Sequence, residues 1–420
     1  MSGIGWVDFS SEHRERVKSV IDLLSSPGVI DELGIGVIRD AFSDAMFPGI
    51  STIQTRAKYF LTVPRLFKEY EKLSPKKRRR IKLIEFLKDE ENRCMEMMVE
   101  NHATDPQGGI IGESFANKQG EVQRKPSSVY WTGIRQFGLV QTSQSLQGFC
   151  GRFANPDRPL LDIIHGSDKL KGDDADAAER VEDAIVGLPY ADDWRESLTV
   201  YLSKDEAEFL SNQIQAKVPR SLIGQILLDS AVREQFLELP NDWNFTTFAD
   251  EAVFLTGFPT ELQKIILAAR DFWQLLYGAH IRYNCLLQER HGTSDGKDDF
   301  EELWEEWREG VKSFDWNRWD TGFLWTLVKS QHRRVREHTM RFVENWIDGV
   351  HDGSDLTALD DLVRLQEWRN KKSRARLQPT ANERVDKWIG IDDLNYRLNV
   401  ARGIIRDIQD GLREQGVSDA

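Results

Sequence analysis

Apolar residues recur three and four positions apart along most of the chain. A clear run covers residues 262–287, where Leu262, Ile265 and Ala269 begin a stripe along one face of a long helix. A second regular stripe covers residues 391–412. No segment shows a comparable alternation of apolar and polar residues, which is the pattern of a half-buried strand. We therefore predict a mainly α, multi-helix protein.

The length of 420 residues is too great for one small domain, so we expect two to three subdomains. Ten of the 13 tryptophans lie between Trp243 and Trp388, which makes the C-terminal part distinctive. The predicted divisions are an N-terminal helical domain over 1–150, an acidic linker region over 151–200 and a Trp-rich helical domain over 201–420.

Residues 34–63 have the pattern of a helix–turn–helix or winged-helix-like unit. A short helix over 34–46 precedes the turn Phe47-Pro48-Gly49, and Ser51 with Gln54 three residues later matches a capping box. We predict a second helix that begins at Ser51 and turns its apolar residues inward. This pair of helices could present the second one to a nucleic acid.

Polar and cationic residues on these two helices are the candidate nucleic-acid contacts. They are Arg39, Ser51, Thr52, Thr55, Arg56 and Lys58. Hydroxyls and free N–H groups at a helix N-terminus suit a phosphate oxyanion, and Arg56 would follow one turn later. The alternative is a pair of core helices whose polar face is merely solvated.

A second candidate block follows at residues 124–137. Its predicted contacts are Arg124, Lys125 and Arg135, interleaved with Tyr130 and Trp131. Basic residues among aromatic rings suit backbone contacts with base stacking, and they equally suit a core tryptophan under a charged rim. A basic run at 76–80 lies between the two blocks, and such a run is also typical of a solvated helix start.

The formal net charge of −13 excludes a protein that is basic throughout, such as a nucleic-acid coat protein. The charge is unevenly distributed, because residues 51–150 hold 17 basic and 11 acidic residues, a local net charge of +6. The acidity belongs to the C-terminal part. The whole-chain charge therefore argues only against nucleic-acid binding through the acidic body.

The sequence contains no phosphate-binding Gly-rich loop, no zinc-protease motif and no paired Cys motif. Its three cysteines lie far apart, so we expect no metal site, no disulfide and no cofactor. Arg333 and His338 match the Arg-x4-His spacing that resembles the motif of helical toxin ribonucleases, a match that chance also explains. We favour a non-enzymatic protein, with this ribonuclease or a purely structural scaffold as alternatives.

Two tryptophan pairs in the acidic body, Trp304 with Trp307 and Trp316 with Trp319, have a spacing of three residues. Such pairs share one helix face, and we interpret them as helix-packing anchors. The alternative is an exposed aromatic interface for a partner protein.

Three segments resemble the signature of a bacterial family known only as a domain of unknown function. They are residues 31–44, residues 47–60 and the block Arg124-Lys125-Pro126-Ser127-Ser128-Val129-Tyr130-Trp131. Arg65-Leu66-Phe67 departs from the aromatic stretch usual there. The resemblance implies an accessory or adaptor role in anti-phage defence, with helicase or nuclease subunits as partners and DNA as a possible ligand. Without a signal peptide or a long apolar run, we expect a cytoplasmic protein that does not contact a membrane.

Overall fold

A computed structural model describes residues 31–115, 124–152, 185–240, 242–251, 257–291, 300–378 and 387–413. Within these residues the chain forms sixteen α-helices and no β-strand. The mainly α prediction is therefore confirmed.

The chain divides into two compact units, and each combines segments that are distant in sequence. Unit 1 consists of Met1–Phe42 and Ile266–Leu394, and unit 2 consists of Ser43–Ile265 and Asn395–Ala420. The predicted boundaries at 150 and 200 do not coincide with this division, and most of the predicted linker lies outside the described residues. Periodicity identifies helices, but it does not show which helices share a core.

Two helices cross the division, α1 (Gly36–Met46) and α11 (Thr260–His291). The other helices of unit 2 are α2 (Tyr59–Lys72), α3 (Pro75–Arg78), α4 (Leu83–Asn101), α5 (Pro126–Gln136), α6 (Leu146–Arg152), α7 (Lys204–Lys217), α8 (Leu222–Leu228), α9 (Ser230–Glu238), α10 (Phe245–Asp250) and α16 (Leu398–Arg413). The other helices of unit 1 are α12 (Phe300–Lys312), α13 (Thr321–Ser330), α14 (Glu337–His351) and α15 (Leu356–Lys371).

The core of unit 2 forms where α2 packs against α5 and α4. Phe60 on α2 contacts Tyr130 edge-on, with 4.8 Å between the ring centroids, and it also packs on Phe137. A Cβ atom at Gly133 would lie 2.5 Å from the carbonyl oxygen of Gly49 and 2.5 Å from the Phe60 ring. Only glycine therefore allows the loop after α1 to approach α5 this closely.

The core of unit 1 forms where α14 and α15 pack with the unit 1 part of α11. Trp346 is fully buried, and its indole N–H donates to the carbonyl of Leu275 at 2.9 Å. Arg282, 1% exposed, binds both carboxylate oxygens of Asp360 at 2.8 and 3.0 Å. A bidentate pair of this kind satisfies a guanidinium that would otherwise be costly to bury.

The predicted second helix of the helix–turn–helix does not begin at Ser51. Gln54 caps a turn instead, because its side chain accepts the Ser51 N–H at 3.2 Å and donates to the carbonyl of Gly49 at 3.0 Å. The next helix is α2, which begins at Tyr59, so twelve residues separate it from α1. The helix–turn–helix spacing predicted for residues 34–63 is therefore wrong.

Distant partners explain why residues 55–57 need no helix. The Tyr130 hydroxyl accepts the N–H groups of Thr55 at 2.8 Å and Arg56 at 3.0 Å, and it donates to the carbonyl of Arg56. Asp407 accepts the Ala57 N–H at 2.7 Å. These tertiary bonds satisfy the backbone groups that a helix would otherwise pair.

Candidate nucleic-acid interface

The strongest cationic feature of unit 2 is the connection from the end of α2 through α3 to the start of α4. Residues 72–84, here named the basic turn, contain seven cationic side chains and no carboxylate. These are Lys72, Lys76, Lys77, Arg78, Arg79, Arg80 and Lys82. All except Arg78 are exposed. The turn therefore concentrates positive charge at the surface of an acidic protein.

Hydrogen bonds fix the shape of the basic turn. The Ser74 hydroxyl caps α3 by accepting the Lys77 N–H, and Arg78 Nε donates to the carbonyl of Leu73 at 3.1 Å. The buried side chain of Tyr70, on α2, donates its hydroxyl proton to the carbonyl of Ile81 at 2.9 Å. The cations thus extend from an ordered backbone, which lowers the entropic cost of binding an anionic partner.

Two apolar side chains complete this surface. Ile81 is 40% exposed and Ile84 is 47% exposed, directly beside the cations. Lysine and arginine contact phosphates, and exposed aliphatic side chains suit the apolar faces of sugars and base edges. The basic turn has the chemistry of a nucleic-acid contact.

Arg56 and Lys58, two of the predicted contacts, form ion pairs inside unit 2. Arg56 Nη2 lies 2.9 Å from Asp407 Oδ1, and Lys58 Nζ lies 2.7 Å from Glu206 Oε2. Lys58 and Glu206 are both buried, and Arg65 binds the second oxygen of the same carboxylate at 2.7 Å. Opposing charges outweigh burial at this site and lower the pKa of Glu206, which keeps it ionised.

The remaining predicted contacts of the first block are spread over irregular backbone and α1. Thr55 donates its hydroxyl proton to the carbonyl of Gly109 at 2.6 Å, Thr52 is exposed and Ser51 is half-buried. Arg39 on α1 binds the neighbouring Asp40 at 2.9 Å. The structure does not gather these residues on one helix face.

The second predicted block opens α5, and its aromatic residues belong to the core. Arg135 donates to the carbonyls of Thr142 and Gln144, both at 3.1 Å, and Trp131 Nε1 donates to the same Gln144 carbonyl at 3.0 Å. Tyr130 is fully buried. The aromatic rings are therefore not available for base stacking.

The two cations at the start of this block differ in their surroundings. Lys125 binds the side chain of Asn92 and is half-buried, whereas Arg124 is exposed. Of the cations predicted in this block, only Arg124 has the exposure that a phosphate contact requires.

The alternative ribonuclease pair lies in unit 1. Arg333 precedes α14 in irregular backbone, and His338 is in the first turn of that helix. Partial burial and the nearby charges of Arg336, Arg369 and Lys372 lower the pKa of His338. The catalytic interpretation of this pair stays a prediction.

The basic run over 76–80 begins within α3, a short exposed helix, which agrees with the interpretation of the run as a solvated helix start. The feature that distinguishes the basic turn in the sequence is the absence of any carboxylate over 72–84 rather than the length of the basic run. The buried tyrosine that fixes the turn could not be identified from spacing alone, because its partner is eleven positions away.

Comparison with known protein families matches residues 1–412 to a family of unknown function, DUF6361. The chain belongs to this family. No curated protein and no solved structure matches the chain. Membership in a family of unknown function agrees with the resemblance in the sequence and brings no assigned activity. Among the described helices, none is long and apolar enough to cross a membrane.

Proposed function

We propose that this chain is a non-enzymatic accessory protein that binds nucleic acid through the basic turn. The observation that carries the proposal is the set of seven cations, without a carboxylate, on an ordered turn of a protein with net charge −13. Because the overall charge repels nucleic acid, contact is expected only where the local charge is reversed.

The proposed binding is mainly electrostatic. Lysine and arginine that neutralise phosphates release condensed counterions, and this release supplies most of non-specific affinity. Phosphate contacts position a protein on nucleic acid without reading its sequence. The proposed function is therefore sequence-independent binding with strong salt dependence.

The test is a charge-reversal variant, Lys76→Glu/Lys77→Glu/Arg80→Glu, in a fluorescence anisotropy titration with a labelled duplex of about 20 base pairs near 0.1 M salt. The matched control is Arg220→Glu/Lys264→Glu/Arg413→Glu, which makes the same charge change at other exposed sites of unit 2. We expect the turn variant to lose affinity about a hundredfold and the control to lose only a few-fold.

Equal losses in the two variants would mean that only net charge matters and would contradict a localised contact. Absence of binding by the unmodified protein would contradict the nucleic-acid proposal itself. Circular dichroism and thermal melting of each variant establish that the fold is retained.

The wider proposal is that the chain is an adaptor of a bacterial anti-phage defence system, with helicase or nuclease subunits as partners bound through the C-terminal helices. The support is the resemblance of the N-terminal signature. The test is phage plating on cells that carry the defence locus with the gene intact, deleted or bearing the basic-turn variant. If deletion of the gene leaves the efficiency of phage plating unchanged, the proposed role in anti-phage defence is contradicted.

Partner binding is tested separately by co-purification of the tagged protein with the products of neighbouring genes. We expect a helicase or nuclease subunit to be retained after nuclease treatment, which removes complexes bridged by nucleic acid. Recovery of the chain alone would contradict the adaptor role.

A further inference from the structure

Unit 1 contains a cleft of about 620 Å³ between α12, the end of α14 and the start of α15. The volume lies within the range of pockets that bind small molecules and cofactors. It is distinct from the basic turn, which belongs to unit 2. We name it the tryptophan cleft because Trp304, Trp307 and Trp316 line it.

Two stacked indoles form a preformed wall of the tryptophan cleft. The rings of Trp304 and Trp307 lie 4.9 Å apart with an angle of 23° between their planes. Trp307 is held in place because its indole N–H donates to the carbonyl of Gln274 at 2.7 Å. A Cβ atom at Gly278 would lie 2.4 Å from the Trp307 ring, so glycine at this position lets the ring pack against α11.

The third tryptophan adds a partly exposed aromatic surface. Trp316 contacts His351 edge-on, with 4.6 Å between the ring centroids. Flat aromatic surfaces of this kind bind planar rings through stacking, and base–aromatic stacking is tolerant of which base is bound.

The charges in the lining have one sign. Of the side chains that line the tryptophan cleft, Arg308 and Lys312 are cationic, and among the described residues no carboxylate lines it. α12 carries five glutamates, but the helical period places Trp304, Trp307, Arg308, Val311 and Lys312 on the lining face. The lining is thus suited to an anionic group although the helix as a whole is acidic.

The ion pairs that Arg308 and Lys312 form with neighbouring glutamates do not prevent them from binding an anionic group. Arg308 pairs with Glu305 at 2.6 Å and Lys312 pairs with Glu309, in both cases three positions apart on an exposed helix surface. Such pairs are weak, so a multivalent anion can share or replace the glutamate.

We infer that the tryptophan cleft binds a planar heteroaromatic ring that carries a phosphate, which is the chemistry of a nucleoside monophosphate. The ring lies against the tryptophans, and the phosphate lies at Arg308 and Lys312. This inference goes beyond the proposed function and does not depend on the basic turn. The same chemistry occurs in a free nucleotide and at the phosphorylated end of a strand.

The test is isothermal titration calorimetry of the full chain with adenosine monophosphate, adenosine and inorganic phosphate. We expect adenosine and phosphate each to bind about tenfold more weakly than the nucleotide, because each lacks one half of the recognised chemistry. Lys312→Glu should weaken nucleotide binding about tenfold, and Ser354→Trp, which fills the cleft, should abolish it. Lys329→Glu, an exposed charge reversal on α13, is the control and should bind normally.

The two sources are distinguished with a short oligodeoxyadenosine, with and without a 5′-phosphate, on a protein that also carries the basic-turn substitutions. If the phosphorylated strand binds more tightly than the mononucleotide, the ligand of the cleft is the strand end. If the mononucleotide binds more tightly, the ligand is the free nucleotide. The inference is overturned if neither the nucleotide nor the phosphorylated strand binds. It is also overturned if the Lys312→Glu and Ser354→Trp variants remain folded and bind the nucleotide as tightly as the unmodified protein does.

Discussion

Arg56 and Asp407 form a mostly buried ion pair whose members are 351 positions apart in sequence. Burial raises the pKa of Asp407, whereas the guanidinium of Arg56 and the N–H of Ala57 oppose this effect. The pair ties α16 to the segment before α2. Its role in this fold is structural.

We expect Arg56→Ala to lower the free energy of unfolding by about 2–3 kcal/mol, because the change leaves a buried carboxylate without its counterion. Urea unfolding followed by circular dichroism measures the loss. Arg39→Ala is the control, since Arg39 is 39% exposed and its pair with Asp40 should contribute less than about 1 kcal/mol. Unchanged stability with weaker DNA binding would instead return Arg56 to the nucleic-acid interface.

His280 is a fully buried imidazole in unit 1, and neither ring nitrogen has a hydrogen-bond partner among the described residues. Burial lowers its pKa to about 4, and the nearby carboxylate of Glu32 opposes this only in part. Between pH 6.5 and about 4 the unfolded chain therefore binds a proton that the folded chain does not.

We expect His280 to make the protein less stable as the pH falls through this window, by about 3 kcal/mol in total. His280→Leu should flatten this part of the stability curve, measured as urea midpoints from neutral to acidic pH. Parallel curves for His280→Leu and the unmodified protein would contradict the buried neutral state.

Among the elements, the start of α5 depends on a carboxyl group from α4. Glu91 accepts the Ser127 N–H at the first turn of α5, and burial raises the pKa of Glu91 to about 7. Because the folded pKa lies above the unfolded value of 4.5, the unfolded state releases this proton first as the pH rises. Stability associated with Glu91 is present below pH 4.5 and is lost towards pH 7.

We expect Glu91→Gln to match the unmodified protein at low pH and to exceed it by about 3 kcal/mol above neutrality, because glutamine keeps the acceptor without the charge. Thermal melting across this pH range measures the difference. A stability difference that does not change with pH would contradict the raised pKa.

Helix starts were predictable where local bonds decide them. Ser203 and Glu206 have the capping-box spacing of three residues, and the box forms and begins α7. The same signature at Ser51 and Gln54 forms a turn, because Tyr130 and Asp407 satisfy the backbone that follows. Those partners are 75 and 350 positions away, which a local pattern cannot reveal.

For the whole molecule, the division into two discontinuous units changes the meaning of the charge distribution. The predicted domain over 1–150 combines a segment of unit 1 with a large part of unit 2, whereas residues 51–150, with a local net charge of +6, lie wholly in unit 2. The helical class followed from periodicity, but the association of helices depends on long-range packing. The relevant charge asymmetry is local, at residues 72–84, and the sequence contains it.

The central claim is that the basic turn binds nucleic acid through phosphate contacts, and the salt dependence of binding tests it most directly. If about five of its cations contact phosphates, the slope of log Kobs against log salt should be about −4 to −5 for a duplex. The Lys76→Glu/Lys77→Glu/Arg80→Glu variant should have a slope that is shallower by about 3, whereas the control variant keeps the original slope. A slope near zero for the unmodified protein, or the same slope in the turn variant, would contradict the claim.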